Sequence, residues 1–276
     1  MSASPQKIHK HILYEASVQD TDVDLALIDR MTRKAGGKKG ATLREDFCGT
    51  AILACAWAQS SPEREAWGID LHLPTLNWAR KHRLPVLGTD AERVHLLEAD
   101  VLRAETPKVD VVAALNFSYM IFRERPVLKQ YFQGVYDSLN DGGVFMLDLF
   151  GGPHAQEVMK EKKKVPAGTD FAGNPTPGFT YVWDQAKFNA VDQSILCRIH
   201  FRGKKIQPIE NAFTYPWRLW GLAEITDLLK EVGFGTVDPY FEGWDDETED
   251  TDGDMQIRKN YEDMLAWICY LGATKS

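Results

Sequence analysis

Between residues 41 and 152 the chain alternates short apolar runs with amphipathic ones, and this alternation limits its folds more than any other feature. ATLRED at 41, AWGID at 66, VHLLEAD at 94 and VDVVAALN at 109 are apolar segments that each end in an acid or an amide. Such runs read as parallel strands buried on both faces. AILACAWAQ at 51, LPTLNWARKH at 73 and PVLKQYFQGVYDSL at 126 lie between and after them with helical spacing. NDGG at 140–143 reads as a helix stop and turn, and GVFMLDLFGG as a fifth strand. Strand and helix in turn predict a doubly wound α/β sheet.

The flanks read differently. Residues 8–34 place Leu25, Ile28 and Met31 at helical spacing, and GGKKG at 36–40 ends that pattern in a loop. KEKKKVPAGTDFAGNPTPG at 160–178 is basic and then rich in Gly and Pro, which predicts an irregular loop. FTYVWDQAKFNA and QSILCRIHFRG, separated by VD, read as an antiparallel pair, with IQPIENAFTYPWRL as a third β segment. GLAEITDLLKEVGF at 221 is an amphipathic helix stopped at Gly233, and TVDPYFEGW and DMLAWICYLGA read as two closing strands. The expected division is a core of residues 1–152 and 217–276, with an antiparallel β insert at 153–216 that covers the active site and sets specificity.

Composition narrows the function. Asp and Glu outnumber Lys and Arg by 40 to 32, a net charge of -8 that argues against a broad nucleic-acid face and favours small-molecule substrates. No run is long enough to span a bilayer, and MSASPQKIHKHILYE lacks the apolar core of a signal peptide. Cys48, Cys55, Cys197 and Cys269 form no CxxC pair, so neither zinc nor a disulfide framework is indicated and a cytoplasmic location is expected.

A doubly wound sheet binds ligands outside the carboxyl ends of its strands. Those ends hold Glu45 through Thr50, then Asp70, Asp100 and Asn116. EDFCGTA joins a strand to a helix, whose free N–H groups face a ligand. Asp70 stands 21 residues after Gly49, the separation at which an acid accepts from ribose hydroxyls, and Asp100 is placed to accept from an adenine amine. Each acid alone is also a good helix cap. Three in register with a small-residue turn favour an adenosine cofactor.

With these residues the chain resembles the class I S-adenosylmethionine-dependent methyltransferases over most of its length. LREDFCGTA looks like that family's first motif, with Glu45 at the acidic position and Cys48, Gly49 and Thr50 in the turn. Phe47 and Ala51 stand where the family usually has glycines, which suggests a Phe47 ring packed near the methionine part. The resemblance implies S-adenosylmethionine as cofactor and S-adenosylhomocysteine as product. It implies a Rossmann-like seven-stranded sheet of order 3-2-1-4-5-7-6. It further implies Asp70 on the ribose with Leu71 beside it, Asp100 and the Val101 N–H on the adenine, and Asn116 and Phe117 near the amino-acid end. LNDGGVFMLDLF resembles the family's fifth-strand segment. YPWRLWGLAEITDLLKEVGF is similar to the late segment of small-molecule branches, amino-sugar N-methyltransferases among them.

Methyl transfer needs an acceptor aligned behind the methyl group, so positioning supplies much of the catalysis and a general base is optional. Tyr119 and His200 are the candidate catalytic groups, and His154, Tyr215 and Arg218 the candidate substrate contacts. A hydrogen-bonded strand histidine explains His154 and His200 more often than catalysis does, and Arg218 is as well placed to pair with an acid such as Glu224. Tyr14 in HILYEASVQ is a further candidate cofactor contact. Cys48 reads as a small turn residue, with no nearby histidine to make it a nucleophile.

Phe213, Tyr215, Trp217 and Trp220 could cage a cationic amine, though core packing is the commoner role. WDDETEDTDGD at 244–254 fails the EF-hand pattern and reads as a solvated loop. A nicotinamide dehydrogenase lacks support because EDFCGTA is not G-x-G-x-x-G. A nucleic-acid methyltransferase is disfavoured by NFSY, which has no proline, and by charge. A non-catalytic protein that keeps the cofactor fold for binding or assembly remains a rival. The expected partner is a small-molecule methyl acceptor, with no membrane, and a homodimer is compatible with the sequence.

Overall fold

Two helices, α1 (Lys10–Val18) and α2 (Thr21–Lys34), precede the first strand in the computed structural model, which describes residues 5–36, 41–245 and 250–276. Strands β1 (Thr42–Asp46), β2 (Glu65–Asp70), β3 (Val94–Glu98) and β4 (Val109–Ala114) then alternate with α3 (Ile52–Gln59) and α4 (Leu73–His82). Helix α5 (Arg125–Ser138) leads into β5 (Leu139–Gly151). Both α4 and α5 carry proline in the first turn, where its missing N–H has no intrahelical partner to lose. Helix α3 is buried on nearly every side, which accounts for its apolar composition.

The rest of the chain is mostly β. Strands β6 (Met159–Val165), β7 (Gly168–Thr169), β8 (Pro175–Thr176), β9 (Phe179–Asn189), β10 (Ser194–Arg202) and β11 (Ile209–Arg218) come first. Helix α6 (Leu222–Val232) and strands β12 (Phe234–Asp245), β13 (Asp250–Ile257) and β14 (Trp267–Lys275) follow. The Glu224 carboxylate accepts from the Gly221 N–H to start α6, and Gly233 at φ 123 stops it as its sequence predicts.

The chain groups into two units. The sheet unit holds Thr21–Ala155 and Trp220–Ser276, and the insert unit holds Gln156–Leu219 with the described residues up to Asp20. The N-terminal segment, expected with the core, thus groups with the insert. Leu13 of α1 packs among Phe179, Ile199, Phe201 and Ile206, and Lys10 Nζ donates to the Ala212 carbonyl at 3.2 Å.

The large sheet runs β3-β2-β1-β4-β5-β14-β12-β13, parallel from β3 to β5 and antiparallel beyond. The expected order of seven strands is present, with β14 and β12 as the closing pair. An eighth, β13, is added at the edge, pairing Met255 with Glu242 and Ile257 with Tyr240. It overlaps the acidic run expected to be a solvated loop, because an edge strand needs few apolar residues. Residues 246–249 of that run, and 37–40 of GGKKG, lie outside the described residues.

Two further departures have local causes. NDGG, expected as a turn, lies inside β5, where Gly142 at φ 74 accompanies a register shift against β4 between Val109 and Val111. The basic run at 160–164, expected as loop, is the exposed stretch of edge strand β6 in the insert sheet β11-β10-β9-β6. Lysines on such an edge oppose pairing with other chains.

Packing fixes the carboxyl end of β5. A Cβ on Gly151 would stand 2.2 Å from Cζ2 of Trp267, the residue opposite it in β14, so only glycine admits that ring. At the other end, Lys275 of β14 donates to the Tyr136 and Leu139 carbonyls at 2.8 and 2.9 Å and closes the C-terminus of α5. All four cysteines are buried thiols. No helix among the described residues is long and apolar enough to cross a membrane.

Candidate functional site

The turn after β1 is built from unusual backbone. Phe47 and Ala51, the two positions that depart from the glycine pattern, both hold left-handed φ values, 57 and 56. The chain therefore keeps the glycine conformation without glycine, at a cost of about 1–2 kcal/mol per residue. Backbone strain of this kind gathers at ligand sites. The Phe47 ring packs against Phe122 and Tyr131, with centroids 5.9 and 5.7 Å away. Gly49, at φ 54, faces open space: an added Cβ would meet no atom within 4 Å.

Ala51 offers a test of that strain. Ala51→Gly would relieve it but remove a fully buried methyl worth about 0.8 kcal/mol, so the two effects nearly cancel. Ala51→Val places a β-branched residue at positive φ in a packed site and is expected to cost about 2–4 kcal/mol. Thermal denaturation should show the glycine variant within about 2 °C of wild type and the valine variant well below it.

Asp70 ties the first two strand ends together. Its Oδ2 accepts from the Gly49 N–H at 2.8 Å and its Oδ1 from the His72 N–H at 2.7 Å. A carboxylate has about four lone-pair sites, so two remain for a ligand's hydroxyls. Next to it Leu71 is 71% exposed, a large apolar side chain presented to solvent at a strand end. Asp100 Oδ1 accepts from the Leu102 N–H at 3.0 Å, and Val101 beside it is buried.

Glu45 has a different place. Its Oε2 accepts from the Ala54 N–H at 2.8 Å, capping the first turn of α3, and burial pushes its carboxyl up to about 8. Asp24 and Asp70 add to that rise, while the Ala54 N–H opposes it. Cys48 and Thr50 are buried in the turn, and burial raises the Cys48 thiol well above its usual range, consistent with a packing role.

After β4 the backbone is again left-handed at two successive residues, Asn116 at φ 58 and Phe117 at φ 59. Their N–H groups donate to Asp148 of β5, at 2.9 Å to Oδ2 and 2.8 Å to Oδ1. Burial pushes the Asp148 carboxyl up to about 7 despite those two bonds. The Phe117 ring meets Phe150 edge-on at 4.8 Å.

A second buried network supports the floor. Arg44 of β1 donates to Asp46 at 2.7 and 3.3 Å and to the Val101 carbonyl at 3.3 Å, and Tyr131 of α5 donates to Asp46 at 2.9 Å. Sequence reasoning missed Arg44, Tyr131 and Asp148, and it placed Asp46 at the strand end without giving it a role of its own. The available signal was a charge inside an apolar strand, Arg44 in TLRED and Asp148 in FMLDLF, because a buried charge has to be paired.

The proposed catalytic groups fall elsewhere. Tyr119 is fully buried, its hydroxyl has no hydrogen-bond partner among the described residues, and burial raises its phenol well above the usual range. That burial is a packing environment and disfavours the charged form a base would need. His200 lies in the insert sheet with Nε2 3.2 Å from Asp184 and Nδ1 accepting from the Asn211 N–H at 3.0 Å. Both nitrogens thus have partners within the insert unit.

Other insert-unit candidates cluster on packing faces. Tyr14 packs at a tilt against Phe213 at 4.9 Å and hydrogen-bonds Tyr215, which stacks on Trp217 at 4.5 Å. Arg218 ends β11 half-buried. Trp220 leaves the aromatic group for the sheet unit, where its Nε1 donates to the Phe122 carbonyl at 3.2 Å. His154 lies just past β5, its N–H donated to the Leu265 carbonyl at 3.0 Å.

The sheet unit suits a nucleoside on three counts: the spare lone pairs of Asp70, the open face of Gly49 and the exposed Leu71. Solved structures share the whole architecture. The chain is similar to a S-adenosylmethionine-dependent methyltransferase from Clostridium acetobutylicum ATCC 824 (15% identity, 94% of this chain and 95% of that one, TM-score 0.65). It is also similar to CalS10, an amino pentose methyltransferase from Micromonospora echinaspora (16%, 100% and 100%, TM-score 0.67). A third is the sugar N-methyltransferase KedS8 from Streptoalloteichus sp ATCC 53650 (13%, 100% and 96%, TM-score 0.63). At such identities the likeness establishes the fold. No protein-family profile matches the chain, and no curated protein matches it in sequence.

Proposed function

We propose that this chain is an S-adenosylmethionine-dependent methyltransferase that moves a methyl group to a nitrogen or oxygen of a small-molecule acceptor, leaving S-adenosylhomocysteine. The observation that carries the reading is the strand-end pair of Gly49 and Asp70, an open left-handed turn held by a carboxylate with acceptor capacity to spare. The solved structures of the same fold support it.

When bound, the cofactor supplies an electrophilic methyl group on a sulfonium. Asp70 would accept from its ribose hydroxyls, and Leu71, Asp100 and the Val101 N–H would hold its adenine. The turns at 47–51 and 116–117 enclose the methionine part. Methyl transfer then depends on alignment and exclusion of water, not on a proton relay.

The acceptor reading follows from the same geometry. Burial pushes the Tyr119 phenol up and both His200 nitrogens have partners, which supports a transfer that uses neither as a base. A neutral amine brings its own lone pair and needs no base, which favours nitrogen over oxygen. An amino-sugar-like amine agrees with the YPWR segment, and the insert unit is the part assigned to acceptor choice. The net charge of -8 disfavours a nucleic acid.

Titration calorimetry tests the reading. S-adenosylmethionine and S-adenosylhomocysteine should both bind, with S-adenosylhomocysteine release following incubation with a panel of amines and hydroxylated metabolites. Absence of binding by either nucleoside would sink the proposal. Binding without turnover of any acceptor would move the chain to the non-catalytic reading.

A further inference from the structure

Asp148 stands outside the strand-end pattern, yet it controls the backbone of one strand end. A peptide unit is planar and trans, so its N–H and C=O point in opposite directions. Both oxygens of Asp148 are committed to the N–H groups of Asn116 and Phe117. The carbonyls sharing those two peptide units, of Leu115 and Asn116, are therefore turned away from Asp148. The Leu115 carbonyl accepts from Ser118 Oγ at 2.8 Å, which leaves it a second lone pair.

The edge so formed offers acceptors, while the donors of the same units are turned inward. Such an edge attracts a cation and repels a carboxylate. Two successive non-glycine residues at φ 58 and 59 do not hold this geometry unaided, because the left-handed region is disfavoured for both. The Phe117–Phe150 contact at 4.8 Å fixes the side-chain end of the same turn.

We propose that Asp148 is a positioning residue of the cofactor site, locking the Asn116–Phe117 pair so that the Leu115 and Asn116 carbonyls receive the α-ammonium of the cofactor's amino-acid end. The inference rests on the methyltransferase reading above and names a residue that does not itself touch the ligand. Asp148→Asn retains the shape but can accept at only one oxygen, so one N–H loses its partner and the turn loosens.

The test compares two probes by calorimetry. S-adenosylhomocysteine carries the ammonium, and 5′-methylthioadenosine lacks the whole amino-acid end. Asp148→Asn is expected to weaken S-adenosylhomocysteine by about tenfold to a hundredfold and to leave 5′-methylthioadenosine within about twofold of wild type. Adding Asn116→Gly and Phe117→Gly, which hold positive φ without support, should recover much of the lost affinity.

Equal losses for both probes, or no loss for either, overturn the positioning role and leave the methyltransferase reading standing. Failure of the wild type to bind S-adenosylhomocysteine overturns both. Should Asp148→Asn not fold alone, the glycine background supplies the comparison: affinity there as weak for the ammonium-bearing probe as for the truncated one overturns the proposal, and a retained preference supports it.

Discussion

Arg44→Met is expected to lower stability by about 3–5 kcal/mol, the cost of breaking a buried ion pair on one side. At roughly 2–4 °C per kcal/mol this is a fall of roughly 6–20 °C in Tm. Arg44 is 2% exposed and faces an Asp46 carboxylate with no access to water. Burial already pushes Asp46 above the ordinary carboxylate range, and the guanidinium and the Tyr131 hydroxyl oppose that push. Methionine removes the stronger of the two opponents.

The sign of the pH dependence follows. A carboxyl whose folded pKa is raised contributes stability that is fully present below its unfolded value and is lost as pH rises through the folded value. Without Arg44 the Asp46 pKa climbs further, so the deficit of Arg44→Met should be larger at pH 8 than at pH 5. Thermal denaturation at both values checks this, and a deficit independent of pH would show that the pair is not charged. The double variant Arg44→Met/Asp46→Leu should regain most of the loss, because apolar side chains often replace a buried pair at little cost. It should not regain all of it, since Tyr131 and the Val101 carbonyl lose their partners.

These interior residues show where sequence reading stops. The sheet was legible because parallel strands buried on both faces leave uninterrupted apolar runs, and four of them ended in an acid or an amide. Gly233 and the prolines of α4 and α5 marked helix ends by their own backbone chemistry. Strands β6 and β13 were not legible. An edge strand is paired on one side, so hydrogen bonding can hold a lysine-rich or acidic sequence that carries no apolar signal.

The site divides in the same way. Asp70 and Asp100 follow from position along the chain, since Asp70 ends β2 and Asp100 lies two residues past the end of β3. The bonds that brace the strand ends span distances no local pattern encodes, such as the 57 residues between Arg44 and Val101 or the 32 between Asn116 and Asp148. Phe47 and Ala51 were legible as departures from glycine. That they nevertheless keep positive φ is a tertiary result: strands β1 and β2 and the Gly49–Asp70 bond hold the turn where its own residues would not. His200 and Tyr119 were chosen by residue type, and type says nothing of whether a nitrogen or hydroxyl is free.

Asp70→Ala is expected to weaken S-adenosylmethionine by about a hundredfold or more, the largest single effect on binding. Two kinds of bond would be lost together. The ligand loses acceptors for its ribose, and the protein loses the carboxylate that receives the Gly49 and His72 N–H groups. Hydrogen bonds to a charged group contribute about 1.5–3 kcal/mol each, so loss of two of them is enough for that change. Asp70→Asn, which keeps one acceptor oxygen, should fall between the variant and wild type. The two kinds of bond separate in a cycle that pairs Asp70→Ala with cofactor analogues lacking one ribose hydroxyl. If the carboxylate binds that hydroxyl, removing either group already removes their shared energy, and the combined loss will be smaller than the sum of the separate ones. A strictly additive cycle for both hydroxyls would confine Asp70 to holding the Gly49 turn. The ribose would then have to find its acceptors elsewhere on the strand ends.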